Sequence, residues 1–245
     1  MWMKMFIPGY NPQGNTIISV LAKKTYTIAN GKVQEAQEQI PFIDSDVLEN
    51  PDQFMYSEVL AETDFIPYKL YPDVVVYGKA YTPMKKRAYY LDCVVCVGPL
   101  RKVVRVYGNR TVQMKPFKGM VFSEPEAFTE MALGYKYAYG GIAKAKDGTL
   151  LSYYPNPIGK GFYLKGGFED VSEIRVPNLE DPSYPVNEES LVVAQFEKWP
   201  QAPKPASFGF TRRNFYPRYT YAGILPEMLQ GAAEHYMQMQ GSTSG

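Results

Sequence analysis

The segment from residue 71 to residue 107 constrains the fold more strongly than any other part of the chain. It contains three runs rich in β-branched and aromatic residues, YPDVVVYGKAYTP, AYYLDCVVCVG and LRKVVRVYG. Such runs, bounded by proline and glycine, are typical of β-strands. The short links PMKKR and Gly98-Pro99 join them, so the three strands are predicted to form an antiparallel meander.

The middle run is apolar on both of its alternating faces. Tyr89, Leu91 and Cys93 share one face, and Tyr90 and Val94 share the other. A strand of this kind is typical of a sheet that is covered on both sides. We therefore predict a mainly β fold, an antiparallel sandwich-like single domain with long ordered loops and one or two short helices.

A hairpin is predicted near the start of the chain. Residues 16–28 are rich in β-branched residues and alternate between apolar and polar, as a half-buried strand does. Asn30-Gly31 follows, which is the strongest short signal for a two-residue hairpin turn. Residues 32–40 then form the second strand of the prediction, with a more polar pattern.

Two segments carry helix signals. Ser123 and Glu126 have the spacing of a capping box, which predicts a short helix that begins there and ends near Met131. Between residues 225 and 240, apolar residues recur at three- and four-residue steps, which predicts an amphipathic helix. The expected organisation is a β-rich domain over residues 1–223, a terminal helix over 224–240 and a flexible tail over 241–245.

Composition excludes several classes of function. The chain has 26 Lys and Arg against 25 Asp and Glu, a balance that argues against a dedicated binder of nucleic acid or of an anionic membrane. It contains one His and two Cys, too few for a multi-histidine or four-cysteine zinc site. No run approaches 18 apolar residues. We therefore expect a soluble cytoplasmic protein that is not an enzyme and holds no metal or cofactor.

Two motifs resemble reactive sites without their usual context. Cys93 and Cys96 match C-x-x-C, but in a strand residues three apart point to opposite faces, so we predict two buried core thiols rather than a redox pair. Gly159, Lys160 and Gly161 lack the order and context of a phosphate-binding loop, so we predict that they serve loop geometry.

A local basic cluster follows the middle strand. Arg101, Lys102, Arg105 and Arg110 are interleaved with Tyr107. Charges at this place can keep a strand edge solvated and prevent unwanted pairing. The alternative is a contact patch for an acidic partner, and the sequence leaves both open.

Seven short fragments, taken in order, resemble a known family. Among them are Val97-Gly98-Pro-Leu-Arg-Lys102, Tyr137-Ala-Tyr-Gly-Gly141 and Asn156-Pro-Ile-Gly-Lys-Gly161. The full set occupies residues 71–83, 97–102, 106–110, 126–131, 137–141, 156–161 and 177–180. The pattern is similar to the bacterial family catalogued as domain of unknown function 2169, whose members are encoded with type VI secretion systems. Asn109 stands where that family usually has Asp, and the pattern ends at Ala222-Gly223.

The resemblance implies a function as an adaptor or chaperone. It implies that the chain binds a secreted effector and helps to load it onto the spike protein. Candidate partner contacts within the matched motifs are Arg110, Tyr137, Tyr139, Gly140, Gly141, Asn156, Gly159, Gly161 and Arg218. The terminal helix adds Met228 and Tyr236, and it also offers a route to a homo-oligomer.

The residue types in these motifs leave a second interpretation open. Gly140, Gly141 and Gly161 suit positive φ, and Arg110 can tie loops to carbonyl groups, so these residues can be structural instead. Two other functions also stay open. The loops rich in tyrosine, with Tyr135 and Tyr153 among them, fit a glycan-binding β domain, and a cleft with two carboxylates would indicate a hydrolase.

Overall fold

A computed structural model describes residues 3–10, 14–65, 72–115, 117–153, 155–163, 173–191 and 203–211. Antiparallel strands dominate these residues, so the predicted mainly β class is confirmed. Their one α-helix spans four residues, Glu188–Leu191. The described residues form two compact units, one from residues 3–47 and 59–74 and the other from residues 48–58 and 75–211. Within them, no helix has both the length and the apolar character that crossing a membrane requires.

The first unit begins with two antiparallel hairpins. Strand β1 (Met3–Tyr10) pairs with β2 (Thr16–Lys23), and β3 (Tyr26–Ala29) pairs with β4 (Lys32–Glu35). Asn30 and Gly31 have φ of 51° and 72°, so the predicted two-residue turn between β3 and β4 is confirmed.

The predicted strand over residues 16–28 is interrupted. At Thr25 the backbone N–H donates to Oε1 of Gln39 (2.9 Å), and Nε2 of Gln39 donates back to the Thr25 carbonyl (3.3 Å). The Thr25 carbonyl also accepts from the Ala36 N–H at 3.0 Å, so the residues after β4 hold the chain at the break between β2 and β3. The second strand of the hairpin is also shorter than predicted, because it ends at Glu35.

After β4 the chain forms two short strands and a 3₁₀ segment. These elements are β5 (Val47–Leu48), the 3₁₀ segment Pro51–Tyr56 and β6 (Val59–Ala61). The Asn50 side chain accepts a hydrogen bond from the Asp52 backbone N–H at 3.2 Å, so it caps the 3₁₀ segment.

The described part of the second unit contains twelve further strands. In chain order they are β7 (Lys79–Tyr81), β8 (Tyr90–Val97), β9 (Leu100–Tyr107), β10 (Thr111–Lys115), β11 (Gly119–Phe122), β12 (Glu130–Ala132), β13 (Tyr139–Gly140), β14 (Ile142–Lys144), β15 (Leu150–Ser152), β16 (Lys160–Gly161), β17 (Glu173–Arg175) and β18 (Leu179–Glu180). Two sheets have three strands, in the orders β18-β9-β8 and β11-β10-β17. Three pairs complete the set: β12 with β7, β14 with β15, and β13 with β16, the last of these parallel.

The predicted meander is right for its second hairpin and wrong for its first. β8 and β9 pair from Tyr90↔Tyr107 to Val97↔Leu100. β7 pairs instead with β12, and β18 is the third strand of the β8–β9 sheet. The link between β7 and β8 contains Met84 and Lys85, with φ of 52° and 55°. Two successive left-handed residues turn the chain sharply and take β7 out of the β8–β9 sheet.

The predicted helix over residues 123–131 is wrong. Ser123 Oγ accepts a hydrogen bond from the Thr111 N–H (2.9 Å), and Glu126 accepts one from Asn109 Nδ2 (3.1 Å). The two side chains of the expected capping box therefore serve tertiary contacts, and the segment runs extended into β12. The predicted terminal helix over 224–240 and the tail over 241–245 lie outside the described residues, as do Arg218, Met228 and Tyr236.

Two hydrophobic clusters form the core of the second unit. Buried members of the first include Val112, Tyr139, Tyr153, Phe162 and Leu191. Buried members of the second include Val104, Val106, Phe128, Leu179 and Phe208. Burial of this kind supplies the main favourable free energy of folding.

The β8–β9 hairpin has one inner and one outer face. Leu91, Cys93 and Val95 are half-buried against the second cluster, whereas Val94 and Cys96 are exposed. The prediction that the sheet is covered on both sides, with both cysteines buried, is therefore wrong for the outer face. Cys93 and Cys96 do lie on opposite faces as free thiols. Burial raises the pKa of the Cys93 thiol, and the nearby Asp92 charge adds to that effect.

Candidate functional site

Asn156 connects two of the motifs that sequence analysis singled out. Its Nδ2 donates to the carbonyl groups of Tyr135 and Tyr139, both at 2.9 Å. The backbone carbonyl of Asn156 accepts hydrogen bonds from the N–H groups of Gly141 (2.9 Å) and Gly159 (3.2 Å). The buried amide thereby holds residues 135–141 against residues 156–161.

The glycines around Asn156 are required by close packing. Gly140, Gly141 and Gly161 have φ of 146°, 112° and 94°, values that side chains rarely allow. A Cβ atom on Gly140 would overlap the carbonyl of Asn156, and one on Gly159 would overlap the Asn156 side chain. These residues therefore support the structural interpretation of the motifs. The loop-geometry prediction for Gly159, Lys160 and Gly161 fits the same arrangement.

The tyrosine-rich loops mostly fill the core. The Tyr139 and Tyr153 rings meet edge to face at 5.1 Å, and the Tyr153 ring lies 5.3 Å from that of Phe162. Burial raises the pKa of both Tyr139 and Tyr153. Tyr135 is buried too, whereas Tyr137 is half-buried and carries the Lys160 ammonium 5.1 Å above its ring. Tyr135, Tyr139 and Tyr153 are thus too buried to contact a protein partner or a glycan.

Arg110 lies in a buried ion pair with Glu180. Its guanidinium stacks 3.9 Å above the ring centroid of Tyr107, and Nη2 donates to the Pro177 carbonyl at 3.3 Å. The second oxygen of Glu180 accepts from the Val186 N–H at 3.0 Å. Arg110 therefore ties loops together, as the structural interpretation predicts.

Asn178 is a structural residue that sequence analysis did not single out. It is fully buried, and its Nδ2 donates to the Tyr107 carbonyl at 3.1 Å and to Asn109 Oδ1 at 3.3 Å. Its backbone N–H donates to the Tyr137 carbonyl at 2.8 Å. Asn178 and Glu180 belong to the Pro-Asn-Leu-Glu fragment of the matched pattern, which was the available signal for both.

The basic cluster does not form one patch. Arg105 makes two hydrogen bonds to Asp92 (2.7 and 2.9 Å), and Arg110 is buried with its own partner. Lys102 belongs to the inner face and donates to the Ser207 carbonyl at 2.5 Å. Arg101 is exposed on the outer face. Most of this charge is therefore used within the chain.

Two carboxylates and a lysine meet near the start of the second unit. Lys136 Nζ lies 2.5 Å from Glu49 Oε1 and 3.5 Å from Glu58 Oε2. Burial raises the pKa of Glu58, Lys136 opposes that shift, and the charge of Glu49 adds to it. The three residues are far apart in the chain, so no local sequence signal could have grouped them.

Glu58→Gln should change how stability depends on pH. A carboxyl group whose pKa is higher in the folded state than in the unfolded state stabilises the fold fully below the unfolded pKa, and this contribution is lost as pH rises through the folded pKa. Removing the group should therefore make the free energy of unfolding fall less steeply above about pH 4.5. Urea denaturation of both proteins from pH 4 to pH 7.5 measures this, and parallel curves would contradict the assignment.

An exposed surface remains on the outer face of the β8–β9 hairpin, which we define by Tyr90, Val94, Cys96, Arg101 and Val103. Tyr90 is 59% exposed and Val94 is 46% exposed. The Asp92–Arg105 pair lies between them across the two strands. Neighbouring aromatic and β-branched side chains exposed on one strand face can form a protein contact surface.

Comparison with known proteins gives one family. The profile of a family described as "Uncharacterized protein conserved in bacteria (DUF2169)" matches residues 13–235. No curated protein matches the chain. No solved structure matches it either. Because the match covers most of the sequence, the chain belongs to this bacterial family, domain of unknown function 2169.

Proposed function

We propose that the chain is a non-catalytic cytoplasmic adaptor that binds a type VI secretion effector and helps to load it onto the spike protein. The observation that supports this most is that internal contacts and the exposed surface of the second unit involve different residues. The described motif residues are used for internal contacts, while the outer face of the β8–β9 hairpin stays exposed. The resemblance of the seven fragments to a family encoded with type VI systems supplies the class of partner.

The contact surface in this proposal is the outer face of the β8–β9 hairpin. β8 is the last strand of its sheet among the described residues, so its outer edge offers backbone groups beside the exposed side chains of Tyr90 and Val94. Aromatic side chains give large contact area at low cost in conformational entropy. A homo-oligomer through residues 224–240 stays a prediction of the sequence.

Affinity purification from the native bacterium tests the proposal. The tagged chain should co-purify with an effector and a spike protein encoded in a type VI gene cluster, both identified by mass spectrometry. Val94→Lys should lower the recovered effector by about tenfold, because one unpaired buried charge in an interface costs at least about 1.4 kcal/mol.

Val33→Lys is the matched control. Val33 is also an exposed strand valine, 65% accessible, but it lies in the β3–β4 hairpin of the first unit. This variant should recover as much effector as the wild type. The proposal is wrong if neither an effector nor a spike protein is recovered, or if both variants capture the effector as well as the wild type does.

A further inference from the structure

An open groove of about 350 Å³ lies in the second unit, away from the outer face of the β8–β9 hairpin. It is lined by the glycines in and beside β13 and β16, and by residues of β14, β17 and the segment after β16. Lys160, Phe162, Tyr163, Ile174 and Arg175 supply side chains. The volume falls within the range of small-molecule sites, so the groove has room for more than a single ion.

The glycines that line the groove are closely packed against their neighbours. A Cβ atom on Gly141 would lie 2.7 Å from the Gly159 carbonyl oxygen, and one on Gly161 would lie 2.8 Å from the Pro177 ring. No larger residue fits there without displacing backbone or the ring. At these glycine positions the groove is lined by backbone alone.

Three cationic side chains, Lys144, Lys160 and Arg175, line the groove together with one carboxylate, Glu173, so its net charge is positive. Lys160 is half-buried, and both burial and the neighbouring Arg175 charge lower its pKa. Neither Lys160 nor Arg175 forms an ion pair within the part of the chain that the structure describes. Glu173, the one acidic residue that lines the groove, accepts a hydrogen bond from Gln113 Nε2 at 3.0 Å.

Lys160 and Arg175 repel each other across the groove, and an anion between them removes that cost. Lysine supplies a point charge and arginine a planar set of donors, and both bind carboxylate and phosphate oxygens. Phe162 and Tyr163 add aromatic wall beside these charges, which suits a ligand with a carbon body.

We propose that this groove binds a small molecule carrying a carboxylate or phosphate group, with the anionic group between Lys160 and Arg175. The charge comes from these two side chains, so the site differs from a phosphate-binding loop, in which backbone N–H groups surround the phosphate. The site is separate from the proposed adaptor surface, so either proposal can fail without the other.

Isothermal titration calorimetry of the full chain tests the site with four probes: inorganic phosphate, citrate, glucose 6-phosphate and glucose. Citrate or glucose 6-phosphate should bind more tightly than inorganic phosphate, and glucose should not bind. A carboxylate ligand is indicated if citrate is the tighter of the two, and a phosphate ligand if glucose 6-phosphate is. Lys160→Met and Arg175→Met should each weaken binding by about tenfold, because each removes a charge-assisted hydrogen bond.

Lys118→Met is the matched control, because it removes an exposed lysine that does not line the groove. It should bind as the wild type does, and so should the conservative Lys160→Arg. If Lys160→Met fails to fold, the binding measured with Arg175→Met decides the test, because Arg175 is exposed and its replacement should leave the fold intact. The proposal is overturned if no anionic probe binds at 10 mM ligand, if glucose binds as well as glucose 6-phosphate, or if Arg175→Met binds like the wild type.

Discussion

Gly140→Ala is expected to destabilise the protein by about 3–5 kcal/mol, because two costs add at this position. The backbone has φ of 146°, which a Cβ atom disfavours, and that atom would overlap the Asn156 carbonyl. The carbonyl cannot move without breaking its hydrogen bonds to Gly141 and Gly159. Guanidinium denaturation followed by circular dichroism gives the free energy of unfolding.

Two other glycines separate these costs. Gly148 has φ of 89° but open space around its Cβ position, so Gly148→Ala should lower the free energy of unfolding by only about 1–2 kcal/mol. Gly78 has neither feature, so Gly78→Ala should lose no more than about 0.5 kcal/mol. Equal losses for Gly140→Ala and Gly148→Ala would contradict the packing around Asn156.

Arg110→Met is the second substitution with a large expected effect. It should lower the free energy of unfolding by about 3–5 kcal/mol. It leaves the Glu180 carboxylate buried without its cation, and it also removes the guanidinium from the Tyr107 ring. The double variant Arg110→Met with Glu180→Leu should lose clearly less than the sum of the two single variants, because it leaves no charge unpaired. Thermal and denaturant unfolding of the four proteins complete the cycle.

Arg105→Met is the matched control for Arg110→Met. Arg105 also pairs with a carboxylate, Asp92, but both side chains are about one third exposed. The loss should be only about 0–1 kcal/mol, because water solvates the remaining carboxylate. A loss from Arg110→Met as small as that from Arg105→Met would show that the Arg110 pair does not hold the loops together.

Local chemistry accounts for what could be predicted from the sequence. Asn30-Gly31 supports a tight turn wherever two strands meet, and the alternation in β8 is a property of the strand itself. The glycine motifs were recognisable as turn determinants, because positive φ depends on the residue type. These features need no knowledge of distant parts of the chain.

The wrong predictions concern places where contacts with distant segments determine the local structure. Ser123 and Glu126 form hydrogen bonds with Thr111 and Asn109 instead of capping a helix. β9 pairs with β18, which follows it by more than seventy residues. Tertiary contacts overrode the local signals at both places. The same limit applies to the exposure of Cys96, since alternation identifies the two faces of a strand but not which of them is covered.

The central claim is that the outer face of the β8–β9 hairpin is where an effector binds, and Cys96 tests it most directly. Cys96 is an exposed thiol on that face, and Cys93, half-buried on the opposite face, serves as an internal reference. The measurement is the rate of iodoacetamide alkylation at each thiol, with and without the purified effector, resolved by tandem mass spectrometry. The account predicts that saturating effector slows alkylation of Cys96 by about tenfold or more and leaves that of Cys93 unchanged. An unchanged rate at Cys96 in the effector complex would contradict it.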